Sequence, residues 1–266
     1  MAVLAGASQH ALAQAPATAC IPAVTSVPIT AASQPVRRIG PLPNGYVEEE
    51  YFLSCDVDGV PYRTLIQVRR PVAQPSGIVI QEVWHWGDLW TVYPKTGPYL
   101  ARKHDTVIFV LSNARALLDI KRENPTRYAS LALPWDTKGQ TAPEEFKVQS
   151  QIGALIRRGG IPNLTARKLI MAGMSGSAGQ VRRYIAQEGR TATLNGRSIF
   201  DGYFPAETAV SMSDAPLADV PVPVVEIQGE TELLRSFEPR GFKAAYRRPD
   251  GPLYRHEQPS ATGQIR

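Results

Sequence analysis

The stretch from Lys168 to Gly179 limits what this chain can fold into more than any other. Lys168-Leu-Ile-Met-Ala172 reads as a short buried strand, and it runs without a linker into Gly173-Met-Ser-Gly-Ser-Ala-Gly179. Behind that turn, Val181, Tyr184 and Ile185 recur at helical spacing. A strand, a tight turn of small residues and a helix, in that order, call for an α/β layout in which the chain leaves the sheet sharply. Small neighbours are needed because the backbone passes close to itself. The helix N-terminus behind the turn favours negative charge. Such a turn can push a serine hydroxyl into an open cleft. Ser175 has Gly at minus two and Ser at plus two, whereas Ser177 has Ser at minus two and Gly at plus two. Ser175 is preferred, because the strand ends at Ala172 and the turn should follow at once. The plainer reading is a Gly/Ser-rich helix start that binds an anion.

Other segments supply the rest of a sheet. Glu48 to Ser54 and Tyr62 to Arg69 alternate apolar and polar residues, which predicts an antiparallel pair joined around Asp56-Val-Asp-Gly59. Gly77 to Val83 and Asp105 to Leu111 are nearly continuous apolar or β-branched runs, suited to strands buried on both faces. A helix is predicted from Thr141, with Glu144 at capping-box spacing and Pro143 in its first turn. Its apolar stripe is Phe146, Val148, Ile152, Leu155 and Ile156, and Gly159-Gly160 ends it. Ser198 to Phe200, Val222 to Gln228 and Pro252 to Glu257 are further strand candidates. The pattern predicts an α/β fold: a mostly parallel central sheet with antiparallel N-terminal strands and helices on both faces.

Composition narrows the partners. The chain has 266 residues and no apolar run near the ~20 needed to span a bilayer, so no membrane span is expected. The net charge is +5, but the basic residues come as scattered pairs such as Arg69-Arg70 and Arg182-Arg183. Nucleic-acid binding needs a clustered patch, and none is read here. Residues 1–35 carry almost no charge, and Ala11-Leu-Ala-Gln-Ala15 resembles the end of a secretory signal. A signal-like or disordered segment 1–35 and one domain 36–266 are therefore expected, with export to the periplasm or beyond. In an oxidising compartment Cys20 and Cys55 could pair; two free thiols are an equal alternative.

A serine hydroxyl becomes a useful nucleophile only when a base takes its proton and a third group orients that base. On this type of sheet the partners follow in the order Ser, acid, His. Gly229-Glu230-Thr231-Glu232 follows a predicted strand, which favours Glu232 with Glu230 close behind; solvated carboxylates are the bland alternative. An oxyanion would take one backbone N–H from Gly176 and another from the loop after Val83, which contains His85, Trp86 and Gly87. Trp84, Trp86 and Trp90 either wall an acyl or aromatic group or pack in the core. Of the four histidines, His256 alone follows Ser175, and it falls on the last predicted strand.

These residues together resemble the bacterial family catalogued as "alpha/beta hydrolase domain", from about Pro43 to Glu257. The resemblance rests on Tyr62-Arg-Thr with Val68-Arg-Arg-Pro71, on Arg127-Tyr-Ala-Ser-Leu131, and on Gly173-x-Ser175-x-Ser177 followed by Arg182 and Tyr184. It continues through Phe200-Asp-Gly-Tyr203, Val220 to Glu232, and Arg248-Pro-Asp-Gly-Pro252 with Arg255 and Glu257. It implies a serine hydrolase cleaving a small-molecule carboxylic ester through an acyl-enzyme, with no metal or organic cofactor. It supports Ser175 over Ser177, and Glu230 or Glu232 as the acid. Two departures stand out: Gly176 replaces the family's Gln, and Gly263 falls about where its His belongs. A C-terminally truncated domain is therefore expected. The alternative is a catalytically impaired hydrolase-fold binding protein, because losing a triad member leaves only roughly 10³–10⁴-fold catalysis over water. The sequence does not speak to oligomeric state.

Overall fold

The computed structural model describes residues 20–36, 40–85, 91–135, 142–208 and 219–229, together with the backbone of a strand at 253–257. The first strands are β1 (Ala23–Val27), β2 (Tyr46–Val57) and β3 (Val60–Pro71). Then come β4 (Ile78–Val83), α1 (Tyr93–Lys103), β5 (Thr106–Val110), α2 (Ala114–Glu123) and α3 (Pro143–Arg157). β6 (Lys168–Met174) leads into α4 (Gly176–Gln187), followed by the short strands β7 (Thr193–Leu194) and β8 (Arg197–Ser198). β9 (Gly202–Ala206), β10 (Val224–Gln228) and β11 (Leu253–Glu257) complete the series. Nine of these strands form one sheet in the order β1-β2-β3-β5-β4-β6-β9-β10-β11, while β7 and β8 pair as a separate hairpin. From β5 to β11 every pairing is parallel; β1, β2, β3 and β5 pair antiparallel. The expected mixed sheet is observed.

The β2–β3 hairpin closes through Asp58 and Gly59, which adopt φ 53° and 81°. A two-residue turn that matches strand twist needs positive φ at both positions, and Asp-Gly supplies it cheaply. On β4 the alternation of side chains assigns the layers. Gln81 donates to Gln149 Oε1 on α3 at 2.7 Å, whereas the Glu82 carboxylate accepts from the N–H of Val92 at the start of α1. Helices α1 and α3 therefore cover opposite faces. The helix α4 shares the α3 side, where Ser150 Oγ meets Tyr184 Oη at 2.8 Å and Tyr184 packs edge-on against Phe200. Beyond α1, the other face carries an apolar groove of about 470 Å³ lined by Ile80, Ile170, Phe204 and Val225.

Several expectations are corrected. The strand expected at Ser198 to Phe200 is not a sheet strand: Arg197–Ser198 closes a small hairpin, and the sheet takes Gly202–Ala206 instead. Asp201 explains the shift. Its N–H donates to Leu169 O at 2.7 Å and its carboxylate accepts from Leu169 N at 2.8 Å, so parallel pairing with β6 begins only at Gly202. Ile199 and Phe200 look like a strand because both are buried in the core. Helix α3 takes Ala142 as its N-cap, and Glu145 rather than Glu144 reaches back to the Ala142 N–H. Thr141 lies outside the described residues. Of the segment 1–35, residues 1–19 also lie outside them, but Ala23–Val27 is an edge strand rather than a loose tail.

That edge strand is tied down covalently by a disulfide between Cys20 and Cys55 on β2, with Cα atoms 6.1 Å apart. A cross-link closing a loop of this size limits the unfolded chain and stabilises the fold by about 2–4 kcal/mol. Replacing both cysteines by serine should lower unfolding stability by that amount in a urea melt. An unchanged midpoint would mean that the β1–β2 ladder alone holds the edge.

Candidate active site

The strand order reverses at β4. The chain moves from β4 to β5 on one side, then returns to β6 on the other. In open α/β sheets the crevice beyond the C-terminal strand ends at such a point is where ligands bind. Three of the sequence-derived candidates sit at that edge. His85 follows the end of β4, and Ser175 and Gly176 follow the end of β6, its hydrogen-bonded neighbour.

Ser175 has φ 54° and ψ −120°, a conformation that L-residues with a side chain rarely adopt. Such strain costs of order 1–3 kcal/mol and persists only where the surroundings impose it. Here the surroundings are visible. Ser175 N–H donates to Ala206 O at the end of β9 at 2.9 Å, and Ser175 O accepts from Gly179 N at 3.1 Å as α4 begins. A Cβ at residue 173 would stand 2.6 Å from Ser177 O and 3.0 Å from Ala178 N, both backbone atoms, so only glycine fits. The two serines differ plainly. Ser175 is half-exposed at the kink, whereas Ser177 is buried within the first turn of α4 and its hydroxyl has no hydrogen-bond partner among the described residues. The α4 N-terminus, directly behind Ser175, places a partial positive charge of about half an elementary unit where an anion would form.

The remaining candidates are less complete. Trp84 and His85 are buried, and Trp84 packs edge-on against Phe109 at 6.4 Å, so it serves the core rather than a pocket wall. Trp86, Gly87, Trp90, Glu230 and Glu232 lie outside the described residues. Gly229, which leads to the two glutamates, follows β10, two strands from β6. The backbone of His256 lies within β11, paired in register with Ile227 of β10. Among the described residues no group of three or more His, Cys, Asp or Glu is placed to hold a metal ion.

Sequence reading missed the buried polar framework around the kink. The Glu145 carboxyl accepts from Asn113 Nδ2 at 3.1 Å and from Gln180 Nε2 of α4 at 3.0 Å, while Asn113 Oδ1 caps α2. Burial pushes Glu145 up to about 8, against the opposing bonds from Ala142 and Asn113. Glu82 is likewise pushed to about 8 by burial, with the N–H groups of Val92 and Tyr93 pulling the other way. On the far side of α4, Arg182 meets Glu226 of β10 at 3.1 Å, both about 1% exposed, and Gln228 also donates to Glu226. Isolated charged residues on a helix, such as Glu145 and Arg182, or on a strand, such as Glu82 and Glu226, read as surface residues, so nothing in the sequence marked them as internal. Glu207 was missed too. It follows β9, has φ 53°, donates its N–H to Ile227 O at 2.6 Å and pairs with Lys95 of α1.

Two outcomes follow from this framework. A raised carboxyl value favours the fold below the ordinary value of 4.5, and that contribution is lost as pH rises toward 8. Glu145→Gln should therefore flatten the decline of stability between pH 5 and 8 in urea melts. A decline as steep as wild type would exclude Glu145 as a source. Separately, Arg182→Met leaves a buried charge without its ion-pair partner and should cost about 3–5 kcal/mol, whereas the Arg182→Met/Glu226→Met pair should recover most of that. A double variant as unstable as the single would contradict this.

Comparison with known proteins agrees with the geometry. In overall fold the chain is similar to esterase Est22, at 14% identity, TM-score 0.50, with 80% of this chain and 72% of that one covered. It is also similar to a dienelactone hydrolase from Anabaena variabilis, at 14% identity and TM-score 0.46, with 82% and 89% covered. An alpha-beta serine hydrolase homologue from Coxiella burnetii matches at 10% identity and TM-score 0.48, with 78% and 86% covered. No curated protein matches the sequence. The family model described as "Alpha/beta hydrolase domain" matches residues 13–257, and the chain belongs to that family.

Proposed function

We propose that this chain is a serine hydrolase that cleaves a small-molecule carboxylic ester through an acyl-enzyme at Ser175. The observation that carries this reading is the strained, half-exposed Ser175 at the junction of β6 and α4. In the proposed first step Ser175 Oγ attacks the acyl carbon and its proton passes to a base. The C–O bond to the alcohol then breaks as that proton is returned to the leaving oxygen. Water repeats the sequence to free the acid. The Gly176 N–H and a second donor from the Trp86-Gly87 loop would hold the oxyanion, because donors preset toward developing charge stabilise the transition state. Glu232, or Glu230, would orient the base. His256, on the strand next to β10, is the candidate base. The esterase name of the structural relative Est22 agrees with an ester-type substrate.

The disulfide supports a second part of the proposal, export into an oxidising compartment, since such bonds are rare where thiols are kept reduced. The signal-like residues before Cys20 point the same way.

The assignment is tested with a fluorophosphonate probe and peptide mass spectrometry. Ser175 should be labelled, and Ser175→Ala should lose the label and lower p-nitrophenyl acetate kcat/KM by at least about 10³. Labelling at Ser177 would overturn the assignment. His256→Ala should lower kcat with little change in KM; turnover equal to wild type would remove His256 from the base role. Stoichiometric labelling without turnover would favour the impaired, ligand-binding reading over the working enzyme.

A further inference from the structure

The opposite edge of the sheet, at the N-terminal ends of β6 and β9, holds a second concavity. It is a cleft of about 610 Å³ lined by Arg157, Arg167, Lys168, Asn195, Arg197 and Asp201, among others. The seven residues of β6 separate it from Ser175, roughly 20 Å at the usual strand rise. It is a different site.

Its charge is unbalanced. Four cations face one carboxylate, and that carboxylate is already committed: Asp201 pairs with Arg157 and with Lys168 Nζ at 3.2 Å, and accepts from Leu169 N. Arg157 is held further by its Nε bond to Ile199 O at 2.8 Å. The C-terminus of α3, which ends at Arg157, adds only about half a negative charge. Arg167 and Arg197 remain. Among the described residues neither guanidinium has a hydrogen bond or an ion pair.

The two arginines are also well mounted. Arg167 lies one residue before β6, where its N–H donates to Gly77 O at 2.8 Å. Arg197 leaves a two-residue hairpin whose turn, Asn195 and Gly196, has φ 53° and 75°. Asn-Gly at both positive-φ positions makes a stiff turn. The hairpin therefore places Asn195, Arg197 and Ser198 along the same cleft as Arg167 and Lys168. Guanidinium groups match the fork geometry of phosphate and sulfate oxygens, and charge-assisted bonds of this kind are about twice as strong as neutral ones.

We propose that this cleft binds a polyvalent oxyanion, a phosphate or diphosphate group, between Arg167 and Arg197, with Lys168, Asn195 and Ser198 as further donors. The site is independent of the chemistry at Ser175. It gives the protein an anchoring or effector point for a phosphorylated ligand on the edge remote from the kink.

The test is calorimetric titration of the full chain with inorganic pyrophosphate at constant ionic strength. Saturable binding is expected with Kd below about 1 mM. Arg167→Ala or Arg197→Ala should weaken it at least tenfold and the double variant should abolish it. All four exposed polar positions of the cleft, Arg167, Lys168, Asn195 and Arg197, can be changed without opening the core. Arg122→Ala, on α2, should leave binding unchanged. Heats no larger than those of sodium chloride at equal ionic strength would overturn the proposal, as would binding that survives the double variant or falls equally in Arg122→Ala. Vesicles of phosphatidylglycerol distinguish the source of the phosphate. Co-sedimentation that pyrophosphate displaces indicates a lipid headgroup, and pyrophosphate binding without co-sedimentation indicates a soluble ligand.

Discussion

The architecture depends on one close approach, that of the Gly173 backbone to the carbonyl of Ser177. With 2.6 Å between that oxygen and a would-be Cβ, no other residue can let α4 start so near the end of β6. The consequence is the left-handed backbone at Ser175, which places a serine at the tip of a corner instead of along a helix. Ser177, two residues later, has already joined the helix and is buried. The difference between these two serines is a matter of backbone geometry, since their side chains are chemically the same.

A strained corner persists only if the elements beside it do not yield. The helix α4 is held from both sides by buried polar groups: Gln180 to the Glu145 carboxyl near the start of α3, and Arg182 to Glu226 on β10. Breaking the Arg182–Glu226 pair on one side only would cost several kcal/mol, more than the strain of order 1–3 kcal/mol stored at Ser175, and leaving the Glu145 carboxyl without Gln180 would cost about 1–3 kcal/mol more. The Ser175 N–H adds a third tie, to β9. The same sheet that buries the apolar strands therefore also fixes the corner. Because β10 leads toward Glu230 and Glu232, the Arg182–Glu226 pair connects the helix behind Ser175 to the strand that precedes the proposed acid.

How much of this was legible depended on how locally each feature is encoded. The corner was readable because Gly173, Ser175 and Gly176 are small residues at and just past the end of an apolar strand. The β2–β3 hairpin was readable because Asp58-Gly59 is a turn signal. The helix α1 was not, since Gly97 and Pro98 argue against a helix; its start is fixed from a distance by the Glu82 carboxylate and its Gly97 packs on the Tyr93 ring. Strand β9 starts four residues later than expected because Ile199 and Phe200 are apolar for packing, while Asp201 sets the register. Glu145, Arg182 and Glu226 are charged residues whose burial depends on partners far along the chain, which no local pattern reveals. For the site itself, Ser175 and Gly176 were found from the sequence, whereas the polar framework that holds them was not.

The most direct measurement of the central claim is to trap the covalent intermediate. The protein is mixed with p-nitrophenyl acetate, quenched in acid, digested, and its peptides are weighed. An acetyl group on Ser175, absent from Ser175→Ala, is the predicted result. Acetyl on Ser177, or on no serine while ester is still turned over, would contradict the account.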